Sequence, residues 1–409
     1  MTAGDGGAFP VATRRITDPD AVRAEAAATL GAPVAVWRRG DALLEGYGLA
    51  TRLALQGPER IADAASAWRA LAGRCAVDDR VRLPGTGAVA FGAFTFADAS
   101  AAPSVLVVPR RVVGVRDGIA FRTDLPRLGP VAPPSSRPPA AVHLDGDGYR
   151  AAVAAAVDRI RSGELEKVVL ARDVVLPGVP DVAAAAHRLA ERYREAWAFA
   201  VDGFFGASPE TLVTVRDRRI GSRVLAGTAA RFEDPGADGE SRDALLSSPK
   251  NRFEHALAVD SLLLTLGERV EDLVIGRPFA LGLPNVWHLA TDATARVGRG
   301  VGALDLVAAL HPTAAVAGAP RAVAQHLIAA LEPFDRRRYA GPVGWIDGSG
   351  DGEWAIGLRS AESEGPDRVR AYAGAGIVAG SDADQELAET EWKLAPVREA
   401  VAEAARSTA

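Results

Sequence analysis

Short Asp/Gly turns set between apolar runs constrain this chain most. Asp117-Gly118 divides the run Val112–Arg122, and Asp347-Gly-Ser-Gly-Asp-Gly352 divides Val343–Ser360. Aspartate and glycine accept the positive backbone angles of a tight hairpin turn, so each pair of runs reads as two antiparallel strands. Leu212–Leu225 reads as a further hairpin, and Val89–Phe96 and Lys167–Leu176 as strands. Helical spacing marks Ala62–Ala72, then Asp147–Ser162 with Gly163 closing it, then Asn251–Glu268 with Phe253, Leu257 and Leu264 expected to face inward. Hairpins interspersed with helices favour an α+β fold over alternating parallel units.

At 409 residues, 48% of them hydrophobic and 24% charged, the chain can bury a large core. Residues 1–15 are expected to be loose, 16–125 to form the N-terminal part of the α+β unit, and 141–405 its main body. The segment 126–140, PRLGPVAPPSSRPPA, carries six prolines and reads as the linker between them. A net charge of −5 with no basic tract argues against nucleic acid. The lone Cys75 excludes an intrachain disulfide and fits a reducing compartment. The N-terminus has no signal-length apolar core, and no run of about 18 apolar residues appears. No membrane association is expected, and the expected location is cytoplasmic.

Several residues can carry chemistry. Gly374-Ala-Gly376 leads into a helix capped by Ser381 or Asp382, with Glu386, Glu389 and Lys393 on one face. Two carboxylates on one face repel unless a cation or solvent relieves them; a solvated acidic helix start reads equally well. Lys167, among small apolar strand neighbours, is either a desolvated base or a strand-end lysine reaching water. Glu210 follows Pro209, so its carboxyl is either held in place as an acid or faces solvent from a turn. Glu254 lies in the first turn of a helix opened by Ser248-Pro249, and oxygen ligation there suits a hard cation. His255 beside it points elsewhere. Arg359, on an otherwise apolar strand, needs an anion.

Taken in order, KVVLAR, ASPE, LAGT, KNRFEH, WHLAT, HPTAAVAG, RYAGPVGW, IGLRS and GAGIVAGS…ELAETEWK resemble the chorismate-utilising enzymes. That family includes isochorismate, salicylate, anthranilate and aminodeoxychorismate synthases. The resemblance spans about residues 147–395 and makes 141–405 a chorismate-binding catalytic region. It implies large antiparallel sheets enclosed by helices. It also implies Mg²⁺ as cofactor, held by Glu254 and Glu389 with Glu386 beside it through water. Gly227, Thr228 and His288 would line the ring pocket. Tyr339, Arg359 and Gly376 would bind the enolpyruvyl carboxylate, and Gly374 would help admit the substrate. Lys167 would activate water at C2, and Glu210 would protonate the departing C4 hydroxyl, which gives isochorismate. In salicylate synthases, threonine typically stands at the position of Ala315; alanine favours stopping at isochorismate. No glutamine amidotransferase motif is visible, so no such partner is expected, and a monomer is expected. A chorismate-binding protein without catalysis is the remaining alternative. Asn251, Arg337 and Ala230 depart from residues common in the family, an acid, a glycine and a proline.

Overall fold

The computed structural model describes residues 8–129, 131, 142–178, 181–267, 269–284, 286–365 and 368–407. Most of the 126–140 segment lies outside them, although Leu128 donates its backbone N–H to Ala50.

Among the described residues, twenty strands join into one hydrogen-bonded sheet. Its seam is the long antiparallel pairing of Ala42–Leu55 with Ser104–Arg116. Two arms run outward from this seam. In the first, Ala42–Leu55 pairs with Pro33–Arg39, which pairs with Trp197–Val201 and so with Phe204–Ser208. The same arm continues through Ser360–Ser363 and Arg368–Ile377 to Lys167–Pro177. In the second arm, Ser104–Arg116 pairs with Val89–Ala93, then come Pro342–Asp347, Gly352–Ile356 and Thr211–Arg216. That arm continues through Arg219–Ala230 to Val286–Arg296, which also pairs with Glu271–Ile275 and Phe279–Gly282. The three hairpins read from Asp/Gly and apolar patterning are all present.

The chain order of the two arms explains why the N-terminal residues cannot be a separate body. Trp37, Phe91, Phe199, Phe204 and Trp345 are fully buried and share one core cluster, although their sequence positions span most of the chain. Nonpolar surface of this size removed from water is the main favourable contribution to folding.

Two expectations fail. Phe9–Arg15 is a strand, not a loose end; it pairs in parallel with Cys75–Asp79 and antiparallel with Ile119–Asp124. These partners are remote in sequence, so local patterning does not announce them. The helix Pro249–Leu266 forms, with Ser248 accepting from the Asn251 N–H, but it is rotated from the expected face. Phe253 is 52% and Leu264 82% exposed, while Glu254, His255, Ala258, Leu262 and Leu266 are buried. Apolar residues stand on both faces, and the buried side is chosen by the site that Glu254 enters.

Candidate active site

The arms bring their far strands to opposite sides of one cavity. From the first arm come Val169 on Lys167–Pro177 and Gly374 and Gly376 on Arg368–Ile377. From the second come Glu210 at the entry to Thr211–Arg216, Gly227 and Thr228 on Arg219–Ala230, and His288 on Val286–Arg296. Glu254 enters from its helix, and Glu389 and Lys393 from the C-terminal helix Ala383–Ser407. Asp382 caps that helix, accepting from the N–H groups of Asp384 and Gln385. Ala315, Tyr339 and Arg359 complete the wall from connecting segments.

Backbone irregularities aim these groups. Leu225 pairs with Ala290 but Thr228 with His288, so one extra residue bulges from the strand, and Gly227 takes it up at φ +87°. Such a bulge redirects the side chain that follows it. Arg359 is not on a strand as expected. It lies between Gly352–Ile356 and Ser360–Ser363 at φ +48°, which turns its guanidinium inward. Gly376 lets the strand approach the helix: a Cβ there would fall 2.2 Å from Glu254 Oε1 and 3.0 Å from Lys167 Cε. Any larger residue would push the Glu254 carboxylate aside.

Hydrogen bonding settles one tautomer. Arg359 Nη2 donates to His288 Nε2 at 2.9 Å, so that nitrogen carries no proton. Burial, then the Arg359 charge, holds His288 well below the ordinary histidine range. The ring is therefore neutral, with its proton on Nδ1, 3.2 Å from Thr228 Oγ1. Glu210 is buried, and desolvation pushes its carboxyl up to about 8 against the lowering pull of Lys167, Lys393 and Arg359. At neutral pH it holds a proton. Tyr339 is pushed up to about 12 by burial and stacks on Tyr372 with ring centroids 5.2 Å apart. It is a neutral donor.

Three carboxylates and three lysines pair off at the helix side of the cavity. Lys167 Nζ lies 3.0 Å from Glu254 Oε1, in an ion pair without hydrogen-bond alignment. Lys250 Nζ donates to Glu386 Oε1 at 2.7 Å. Lys393 Nζ lies 2.5 Å from Glu389 Oε1 and donates to the Gly374 carbonyl at 2.9 Å. Burial, then Glu389, raises Glu386 despite Lys250. The all-oxygen donor set of these acids suits a hard divalent cation. As they stand, no group of three or more His, Cys, Asp or Glu is close enough to hold an ion among the described residues.

A family model described as "Chorismate binding enzyme" matches residues 129–402. The chain belongs to the chorismate-binding enzymes. A Mycobacterium tuberculosis protein carrying a provisional MenF isochorismate synthase name is 40% identical over 330 residues, covering 76% of this chain and 86% of that protein. Among solved structures, the menaquinone-specific isochorismate synthase MenF of Escherichia coli aligns with a TM-score of 0.78 at 27% identity, over 97% of this chain and 95% of that one. Anthranilate synthase component I of Streptococcus pneumoniae shares the fold, with a TM-score of 0.67 at 19% identity over 86% of this chain and 90% of its own.

Set against this chorismate-binding fold, the sequence-derived residues divide in two. All but Lys167 and Glu386 line the cavity; Lys167 stands one contact behind it, against Glu254, and Glu386 is paired with Lys250. Sequence reasoning does not single out Lys250 or the wall position of Lys393. The composition held the signal. The chain has 47 Lys and Arg, and the only three lysines are Lys167, Lys250 and Lys393. A further signal was spacing: Lys250 precedes Glu254, and Glu389 precedes Lys393, by four residues. No helix among the described residues is long and apolar enough to cross a membrane.

Proposed function

We propose that this chorismate-binding enzyme is an isochorismate synthase. The observation that carries the reading is the placement of a buried Glu210, its carboxyl pushed up to about 8, on one wall of the cavity, with Lys167 behind Glu254 at another. Lys167 takes a proton from water as the oxygen bonds to C2 of chorismate, a step that needs the neutral amine and therefore prior release of the proton that pairs it with Glu254. The ring double bonds shift, the C4–O bond breaks, and the departing oxygen leaves as water with the Glu210 proton. Water is consumed and released, so the reaction is an isomerisation. Such an exchange needs an acid that holds its proton and a base that has released its own. Arg359, oriented by neutral His288, and Tyr339 bind the enolpyruvyl carboxylate. Glu254 and Glu389, with Glu386 beside them, would hold Mg²⁺, which when bound supplies charge neutralisation at the ring carboxylate.

Ala315 supports release at isochorismate rather than onward elimination, because a methyl group offers no hydroxyl beside the ring. The test is incubation with chorismate and Mg²⁺ near neutral pH, with products resolved by chromatography. Isochorismate is expected as the main product. Salicylate with pyruvate would overturn the reading in favour of salicylate synthase, and product only with added ammonia would assign the amination branch. Lys167→Ala is expected to abolish turnover while chorismate still binds by calorimetry.

A further inference from the structure

The distribution of lysine is the observation that the proposed reaction leaves unused. This chain meets nearly every need for a cation with arginine, yet each of its three lysines pairs with a carboxylate read as part of one metal site. Two of them have evident tasks. Lys167 is enclosed, with 1% of its side chain exposed, and Lys393 is anchored to the Gly374 carbonyl at 13% exposure. Lys250 differs. Its side chain is 35% exposed, so a path to solvent is open, and its ammonium donates to Glu386. Burial works against its charge, but Glu386, then Glu254 and Glu389, outweigh that and raise its hold on the proton.

We propose that Lys250 is an internal competitor for the divalent cation, its ammonium holding the Glu386 carboxylate beside the place that the metal must take. The inference rests on reading those carboxylates as the Mg²⁺ site. A compact ammonium on a flexible stem can leave such a place, whereas an arginine fork gripping carboxylates in two parallel bonds would resist displacement. Metal binding then turns Lys250 outward, and the apparent affinity for the metal is lowered by the fraction of molecules in which the lysine is in place.

Two measurements test this without reference to turnover. The first is calorimetric titration of the full chain with Mg²⁺, supported by Mn²⁺ titration followed by electron paramagnetic resonance. Lys250→Met is expected to bind metal at least about fivefold more tightly than the wild type, and Lys250→Arg more weakly. Equal or weaker binding by Lys250→Met, with its circular dichroism unchanged, overturns the proposal and makes Lys250 a support for Glu386 instead. The second uses the wild type alone, so it does not depend on a variant folding. With only three lysines, acetylation by a soluble amine reagent can be read residue by residue by mass spectrometry. Saturating Mg²⁺ is expected to raise labelling of Lys250 several-fold while Lys167 stays protected; unchanged or reduced labelling overturns the proposal. If the wild type binds neither metal, with or without chorismate, the Mg²⁺ reading falls and this inference with it. Tight binding by the wild type without the Lys250 effects defeats the inference alone.

Discussion

Glu210 shows what burial does to a single carboxyl. Desolvation outweighs three nearby cations and places its titration at about 8, against 4.5 for the free group. A general acid must hold its proton, so turnover should fall as pH rises through about 8. The same shift affects stability with a defined sign. Between about 4.5 and about 8 the folded chain keeps this proton while the unfolded chain releases it, so its contribution to stability declines as pH rises across that window. Glu210→Gln should slow turnover by roughly a hundredfold or more and flatten that part of the stability profile, as read from rates and urea melts between pH 5 and 9. Gly376 makes an equally local claim. In Gly376→Ala the new methyl would meet Glu254 Oε1 at 2.2 Å, so the carboxylate must move. The variant should fold, since its strand neighbours are unchanged, but show a marked loss of Mg²⁺ affinity in a calorimetric titration. Arg337 illustrates a residue whose cost is met by its partner: at φ +52° it occupies backbone space that favours glycine, and its ion pair with Glu364 at 3.0 Å holds it there.

At the scale of elements, the helix Pro249–Leu266 is the most informative. Its register predicts that Leu264→Lys changes stability by less than about 0.5 kcal/mol, because the side chain already faces water. Leu266→Ala should cost about 2–5 kcal/mol, because Leu266 is fully buried. Thermal or urea unfolding of the two variants checks both, and the reverse order would restore the face expected from sequence. The contrast shows where sequence is readable. Hairpins such as Ser104–Arg116 with Ile119–Asp124 are legible because Asp117-Gly118 states its turn locally. The cap at Ser248 and the wall residues from Glu210 to Glu389 are legible through ordered motifs. The buried face of a helix apolar on both sides is not, and neither is Phe9–Arg15, whose pairing depends on residues far along the chain. Lys250 escapes notice because a lysine in a first helical turn ordinarily faces solvent.

For the whole molecule, the two-armed sheet means that the region 141–405 is not a self-sufficient piece. Removing residues 1–125 would strip Val89–Ala93 from Pro342–Asp347 and Pro33–Arg39 from Trp197–Val201, leaving Trp345 and Phe199 uncovered. Residues 126–409 expressed alone should be aggregated or lack near-ultraviolet dichroism; a soluble, chorismate-binding fragment would refute this. The seam has one more consequence, for the order of synthesis. Both of its strands lie before residue 126, so on a ribosome the joint is translated before either wall of the cavity. The partner of Pro33–Arg39 emerges only near residue 197, and that of Val89–Ala93 only near residue 342. Throughout that interval the nascent sheet carries two open, apolar edges of the kind that recruit other chains. The demand for chaperone protection during translation should therefore end at the Asp347–Gly352 turn, when the last of those edges is closed.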